Sequence, residues 1–373
     1  MKFTCDKRDL MKVLVNLSKA IAVKPQTPAL GGIYLKVQDD ELEMHTNNYS
    51  LGMKAKIQVN AQSEGEVVPL GKRFVDAVKV MPTDTIYIEE IEDEGCLLIA
   101  SGRAKFNIPL LNVEEFPKVT IKDAEVSTIK INPLVLKSLI NQTVFSCTKE
   151  GTHPIYTGCL FDTNGDMLTV VGTNMHRLSI AQDHMQGETD RKLRFVIPAE
   201  ALRAIAEMLP DDDDKIHSVD INCTEKDVSF MIDNIFVKAR IIDGVFPEYN
   251  KVIPKGNETV VHVNVEDLRN VMDRISLISK DTVNKKVTFN FSDEGLKISA
   301  ETPDSGSAEE TLDVNIEGPA LKISFNYTYI VDLLRTLKSS TCQFSMKGQY
   351  DPVDIREDEG TDDYVYVVTP VRG

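Results

Sequence analysis

The stretch Phe195–Pro210 reads FVIPAEALRAIAEMLP. Leu202, Ile205, Ala206 and Leu209 fall at i, i+3, i+4 and i+7, so a helix here carries one apolar face that must be buried. The strand-like FVIP leads into it and Pro210 ends it. The same face recurs 128 residues earlier (202 − 74) as Phe74, Ala77, Val78 and Met81, behind VVP at 67–69. It recurs 128 residues later (330 − 202) as Ile330, Leu333, Leu334 and Leu337, behind LKISF at 321–325. Three matched faces at one spacing mark a threefold internal repeat.

The repeat divides again. About 60 to 66 residues upstream of each helix lies another of the same kind. Their faces are Leu10, Val13, Leu14, Leu17; Leu136, Leu139, Ile140, Thr143; and Leu268, Val271, Met272, Ile275. Thr143 is the only polar residue among these 24 positions. The chain therefore reads as six units of one helix and several strands, an α+β architecture in which each helix buries its face on a sheet. A chain of 373 residues suits two or three domains, and the repeat selects three: 1–125, 126–253 and 254–373. NKVIPKGNE (250–258) reads as the linker before the third.

Turn chemistry supports the strands between the helices. Asp39-Asp40 joins IYLKV (33–37) to ELEMHT (41–46), Thr163–Asp166 is an Asn-Gly hairpin turn, and Asp293–Gly295 is a third turn. With 42% hydrophobic and 27% charged residues, the composition is that of a soluble globular protein. No apolar run approaches the ~18 residues of a membrane span, and MKFTCDKRDL lacks a signal-peptide core, so a cytoplasmic location is expected. The six cysteines are scattered without a CxxC pair and read as reduced structural thiols.

The net charge of −16 argues at first against nucleic acid, but its distribution does not. The six helix windows (7–20, 71–80, 133–145, 198–209, 265–277, 326–338) hold 13 Lys/Arg against 8 Asp/Glu, a net of +5 that leaves −21 elsewhere. The acid gathers at Glu89–Glu94, Asp211–Asp214 and Asp351–Asp363. Basic helices on an acidic body suit a protein that holds a polyanion on one surface and repels it elsewhere.

No catalytic or metal-binding constellation emerges. The six histidines form no ligand spacing, and neither a phosphate-binding glycine motif nor a nucleophile elbow is present. Asp211–Asp214 reads as a solvated acidic loop rather than a Mg²⁺ site. His176-Arg177, within VVGTNMHRLSI, is the one polar pair in an apolar strand context, and the histidine reads as a structural one. Neither enzyme chemistry nor a cofactor is expected.

TNMHRLSI resembles the T-D-[GM]-x-R-L motif of bacterial DNA sliding clamps, the β subunit of the replicative DNA polymerase III. IDGVFPEYNKVIP is similar to that family's DG-x-[FY]-P-x-Y-x-x-[VL]-[IL]-P. MKFT, PQTPALGGIYLKV, FNYTYIVDLL and the tail YVYVVTPVRG match it too, so the resemblance runs end to end. It implies three tandem clamp domains, each with two helices on antiparallel sheets, and a head-to-tail homodimer ring around duplex DNA. In the family such a ring tethers polymerases without gripping any sequence. The partners implied are double-stranded DNA, the polymerase III alpha subunit, the clamp loader, and other polymerases and repair proteins, on nucleoid DNA with no membrane.

The resemblance also assigns residues. A pocket for clamp-binding peptides falls on Thr173, Met175, His176, Arg177, Leu178, Pro247, Lys251, Val252, Val367, Val368, Thr369, Pro370, Val371 and Arg372, with Tyr156 at its rim. Thr369 stands where the family often has Met, and Gly373 where Leu is common. DNA contacts fall on Lys24, Lys72, Arg73, Lys79 and the loop at His153, Pro154 and Ile155. Ala199 and Glu200 replace basic residues of some relatives. The ring joint falls on Arg103, Lys105 and Phe106 against Leu277 and Ile278 of a second copy. The alternative is a clamp paralogue with a specialised partner or an inhibitor-resistance role.

Overall fold

The structure, a computed structural model, describes residues 1–120, 127–189, 192–212, 218–280, 285–358 and 363–372. The expected boundary at 125/126, Asp213 and Asp214 of the acidic run, His217 and Gly373 lie outside these residues.

Among the described residues six α-helices form where the apolar faces predict them: α1 (Lys7–Leu17), α2 (Gly71–Val80), α3 (Pro133–Thr143), α4 (Ala199–Met208), α5 (Val265–Ser279) and α6 (Tyr327–Leu334). All 24 face positions are buried. Thr143 is accommodated because its hydroxyl donates to the Leu139 carbonyl at 2.7 Å, within its own helix. Side-chain caps fix several helix starts: Asp6 accepts from the Arg8 amide at 2.7 Å, and Asn264 from the Asp267 amide at 3.0 Å. None of these helices is long and apolar enough to cross a membrane.

The chain folds as two compact units, 1–134 with 200–241, and 135–199 with 242–373. The first carries a 13-stranded sheet. Its order runs Ser127–Ile131, Val219–Cys223, Asp227–Ile232, Ile235–Arg240, Leu51–Gln58, Glu41–Asn47, Tyr34–Gln38, Gly65–Pro69, Ala104–Leu111, Cys96–Ser101, Thr85–Ile91, Lys2–Asp6, Asn60–Ser63. Within this unit α1 packs beside α2. The second unit holds a nine-stranded sheet: Arg194–Pro198, Gly158–Asn164, Met167–Thr173, Arg177–His184, Tyr364–Val368, Val353–Glu357, Thr341–Met346, Thr259–Asn264, Asn315–Glu317. Its four-stranded sheet runs Gly306–Leu312, Gly295–Thr302, Lys286–Ser292, Leu321–Asn326, with α5 packed beside α6.

Each unit contains a ladder between strands of successive repeats. In the first, Leu51–Gln58 pairs antiparallel with Ile235–Arg240, placing Leu51 opposite Ala239 and Ala55 opposite Ile235. In the second, Arg177–His184 pairs with Tyr364–Val368, placing Arg177 opposite Val368 and Ala181 opposite Tyr364. These ladders bind parts of the middle repeat tightly to each neighbour, so the division by contacts is twofold while the division by sequence periodicity is threefold.

Besides the other strands that end the sheets, two strands in equivalent places of the first and third repeats keep open edges. Ala104–Leu111 pairs along its length with Cys96–Ser101 but meets Gly65–Pro69 only at Leu110 and Leu111. Gly306–Leu312 ends its sheet, paired with Gly295–Thr302 alone among the described strands.

A clasp closes the first repeat. Phe116 stacks on Tyr34 with ring centres 5.7 Å apart, and the Asn47 side chain donates to the Pro117 carbonyl at 2.9 Å. The Val119 amide donates to buried His45 Nδ1 at 3.0 Å, which puts the histidine proton on Nε2, 2.8 Å from Glu43. Burial lowers the His45 pKa against the pull of Glu43. Glu43 is itself disfavoured as an anion by burial, yet Lys54 and His45 hold its pKa down to about 2.

Two outcomes follow from this packing. A Cβ at Gly172 would sit 2.2 Å from the Thr143 carbonyl oxygen, so Gly172→Ala should cost about 1–3 kcal/mol in chemical denaturation. Gly151→Ala, which meets only Thr148 Oγ1 at 3.9 Å, should be close to neutral. Folding lowers the His45 pKa below that of the unfolded chain, so its contribution is complete above the ordinary histidine pKa and is progressively lost as the pH falls below it. The fall in thermal midpoint between pH 7 and pH 5 should be smaller in His45→Gln; an equal fall would remove His45 from the account.

Candidate functional site

The strands Met167–Thr173 and Arg177–His184 meet in a tight turn that its own side chains hold. The Asn174 carboxamide oxygen accepts from the amides of His176 and Arg177, both at 3.0 Å. Thr173 Oγ1 donates to the Arg177 carbonyl at 2.7 Å and accepts from the Met175 amide at 3.2 Å. These bonds keep Met175 at φ +72°, a left-handed conformation that a side chain resists, and leave its thioether exposed. The chain end docks on the same turn: the amide and hydroxyl of Thr369 both donate to the His176 carbonyl, at 2.9 and 3.0 Å.

Beside the turn lies a cavity of about 210 Å³. It is lined by Tyr156, Thr173, Met175, His176, Arg177, Leu178, Phe246, Pro247, Tyr249, Val252, Val367 and Thr369. Leu178, Phe246 and Val367 belong to a buried cluster with Leu160, Val171, Ile180, Val196 and Val365, and Tyr249 packs on it. Tyr156 meets Phe246 edge to face, centres 6.4 Å apart. The result is an apolar depression with a rigid wall.

Arg177 supplies the wall. Its guanidinium lies 4.6 Å from the Tyr329 ring centre and 5.2 Å from that of Phe145. Nη1 donates to Asp332 at 2.8 Å, and Nη2 donates to the Phe145 carbonyl. Burial works against its charge, but Tyr366 and Asp332 outweigh that and raise its pKa. Nη1 and Nη2 each donate to an internal acceptor, while buried Nε has no hydrogen-bond partner among the described residues, so Arg177 orders the turn more than it reaches outward.

The cavity gathers ten of the fifteen residues assigned to it. Lys251 sits exposed in a short 3-10 turn, Tyr249–Lys251. Val368 is fully buried in the ladder opposite Arg177, and Val371 is tied by its amide to the Ser324 carbonyl at 2.7 Å. Pro370 and Arg372 follow outside the lining. The reading of His176 as a structural histidine is corrected: its side chain is exposed at the cavity, and Arg177 is the buried member of the pair. Phe246 and Tyr249 were missed, although both stand in the FPEY segment that carries the family motif.

The residues assigned to DNA are described separately in the two units. In the first, Lys24, Lys72, Arg73 and Lys79 are all exposed, three of them on α2, and none makes an ion pair among the described residues. Other helix cations are partnered: Lys12 with Asp233 at 2.7 Å, Lys19 with Glu207. In the second unit His153 and Pro154 are exposed, whereas Ile155 is half-buried and packs on the buried cluster of Leu160, Leu178 and Phe246. For the ring joint, Arg103, Lys105 and Phe106 lie on the open-edged strand or its turn, Phe106 being 40% exposed. Leu277 is 60% exposed on α5 and Ile278 is half-buried. Among the described residues no group of three or more His, Cys, Asp or Glu side chains could hold a metal ion.

Three family profiles match nearly the whole chain in order. They are the DNA polymerase III beta subunit N-terminal domain over residues 1–120, its central domain over 130–248 and its C-terminal domain over 250–372. A beta sliding clamp of Bacillus subtilis is 30% identical over the full length of both chains, and one of Vibrio cholerae is 26% identical, again over both full lengths. The crystal structure of the Bacillus subtilis DNA polymerase sliding clamp superposes with a TM-score of 0.92 at 29% identity, covering 100% of this chain and 99% of that one. A Pseudomonas aeruginosa sliding clamp bound to griselimycin superposes at 0.90 with 25% identity over both full chains. The fold is thus three DNA clamp domains in tandem. The chain belongs to the DNA polymerase III beta subunit family, the DNA sliding clamps.

Arg177→Ala would leave the Asp332 carboxylate and the Phe145 carbonyl without their buried donor. It should destabilise the protein by about 3 kcal/mol, the low end for a broken buried pair because Asp332 is a third exposed. Urea unfolding checks this, and an effect below about 1 kcal/mol, the scale of a surface pair, would contradict it.

Proposed function

We propose that two copies of this chain close head to tail into a ring that encircles duplex DNA and tethers the replicative polymerase to it. The observation that carries the reading is the pattern of open edges. Repeats join through one antiparallel ladder in each unit, and the equivalent strands left over are Ala104–Leu111 and Gly306–Leu312. Pairing these two between copies would use the same ladder twice more and leave no such edge. Exposed Phe106 and Leu277 supply apolar surface for the joint together with Ile278, beside the exposed Arg103 and Lys105.

In this reading the domains are 1–125, 126–253 and 254–373. The unpaired cations Lys24, Lys72, Arg73 and Lys79, with the loop at His153 and Pro154, meet phosphates without reading bases, so the ring slides. The apolar cavity takes side chains of short extended peptides from the polymerase III alpha subunit, the clamp loader, other polymerases and repair proteins. Processivity then comes from effective concentration, with no chemical step by the clamp and no membrane involved, on nucleoid DNA in the cytoplasm.

Light scattering over a dilution series should give a particle of about twice the 41.6 kDa chain. Once loaded, it should stay on circular DNA and leave linearised DNA. Phe106→Asp should shift the particle to monomer and abolish retention on circles. A wild-type monomer at every concentration, or equal retention on linear and circular DNA, would sink the reading.

A further inference from the structure

Twelve residues apart in sequence, Cys147 and Cys159 meet in the second unit with their sulfurs 3.4 Å apart. The other four cysteines make no such approach, and burial pushes the thiols of Cys5 and Cys342 up to about 12. Cys159 is fully buried in the strand Gly158–Asn164, fixed by ladders on both sides. Cys147 lies where a 3-10 turn, Val144–Ser146, gives way to the loop 148–157 and keeps 5% of its surface. That loop is exposed from Glu150 to Pro154, and the Thr148 amide ties its two ends together by donating to the Tyr156 carbonyl at 2.9 Å. Gly172 lies against Cys147, where a Cβ would come 3.4 Å from its sulfur.

We propose that Cys147 and Cys159 are a reversible oxidation site, a dithiol converted to a disulfide by peroxide. The Cys147 sulfur attacks one peroxide oxygen, the O–O bond breaks, and a sulfenic acid and one water form. The Cys159 sulfur then attacks the Cys147 sulfur; the S–S bond forms, the S–O bond breaks, and a second water leaves with the Cys159 proton. Two thiols are oxidised by two electrons and one peroxide is reduced to two waters. A dithiol reductant restores the pair. Closing the sulfurs to a bonding distance of about 2 Å needs movement on the Cys147 side, where the chain is a loop rather than a ladder. Local opening of that loop admits the oxidant and sets the rate. The bond then staples the base of the loop that carries His153, Pro154 and Tyr156, where the Thr148–Tyr156 hydrogen bond already lies.

The test is peroxide treatment of the full-length protein followed by intact-mass measurement and peptide mapping. A loss of about 2 Da, reversed by dithiothreitol and mapped to Cys147 joined to Cys159, is expected. Amide exchange of the loop should slow about tenfold in the oxidised form. Cys147→Ser and Cys159→Ala should abolish the mass loss, and Cys5→Ser should retain it; the mapping in the unaltered protein decides the question even where a variant fails to fold. Oxygen addition to single cysteines, a disulfide mapped elsewhere, or thiols unchanged under peroxide that oxidises exposed methionine would each overturn the proposal.

Discussion

The antiparallel pairing of Arg177–His184 with Tyr364–Val368 does more than join two repeats. It fixes the register that places Val367 beside Leu178 in the buried cluster, and it delivers Thr369 to the His176 carbonyl. Without that register the Thr173–Arg177 turn would have no chain end to bind, and the cavity would lose one wall. Backbone hydrogen bonds across such a ladder depend little on side-chain identity, so the arrangement tolerates sequence divergence while the cavity keeps its shape. Family resemblance at 26–30% identity with near-complete structural overlap is the expected consequence.

Electrostatics follow a similar division of labour. An acidic chain would repel DNA wherever its carboxylates stand free, and some of its cations are consumed in pairs such as Lys12–Asp233 and the two-pronged Arg274–Glu310 contact. The cations left without partners at the assigned positions are exposed on α2 and at Lys24, so a modest number of charges can be presented to a polyanion by a protein of net charge −16. Arg177 shows the opposite use: a cation held between two aromatic rings and a carboxylate serves the architecture.

Much of this was legible in the chain. Apolar residues at helical spacing located all six helices, because burial of one face is a local, periodic requirement that leaves its mark on every turn. Thr143 fitted the pattern too, since a hydroxyl can satisfy itself within its own helix. The pocket was legible only through family motifs, and incompletely. The exposure of His176 and the inward packing of Ile155 depend on how a turn and a loop meet distant strands, which spacing alone cannot express.

By itself the sequence determined the repeat, the helices with their buried faces, the strand turns at Asp39-Asp40 and Thr163–Asp166, and the family. The tertiary structure decided which strands become ladders, which edges stay open, and that Arg177 rather than His176 is buried. It also brought Cys147 to Cys159, cysteines that read as unrelated in the chain. The physical reason is range: periodicity records interactions within a few residues, whereas register, edge exposure and side-chain encounters are set by contacts between segments hundreds of residues apart or turned toward each other only by the fold.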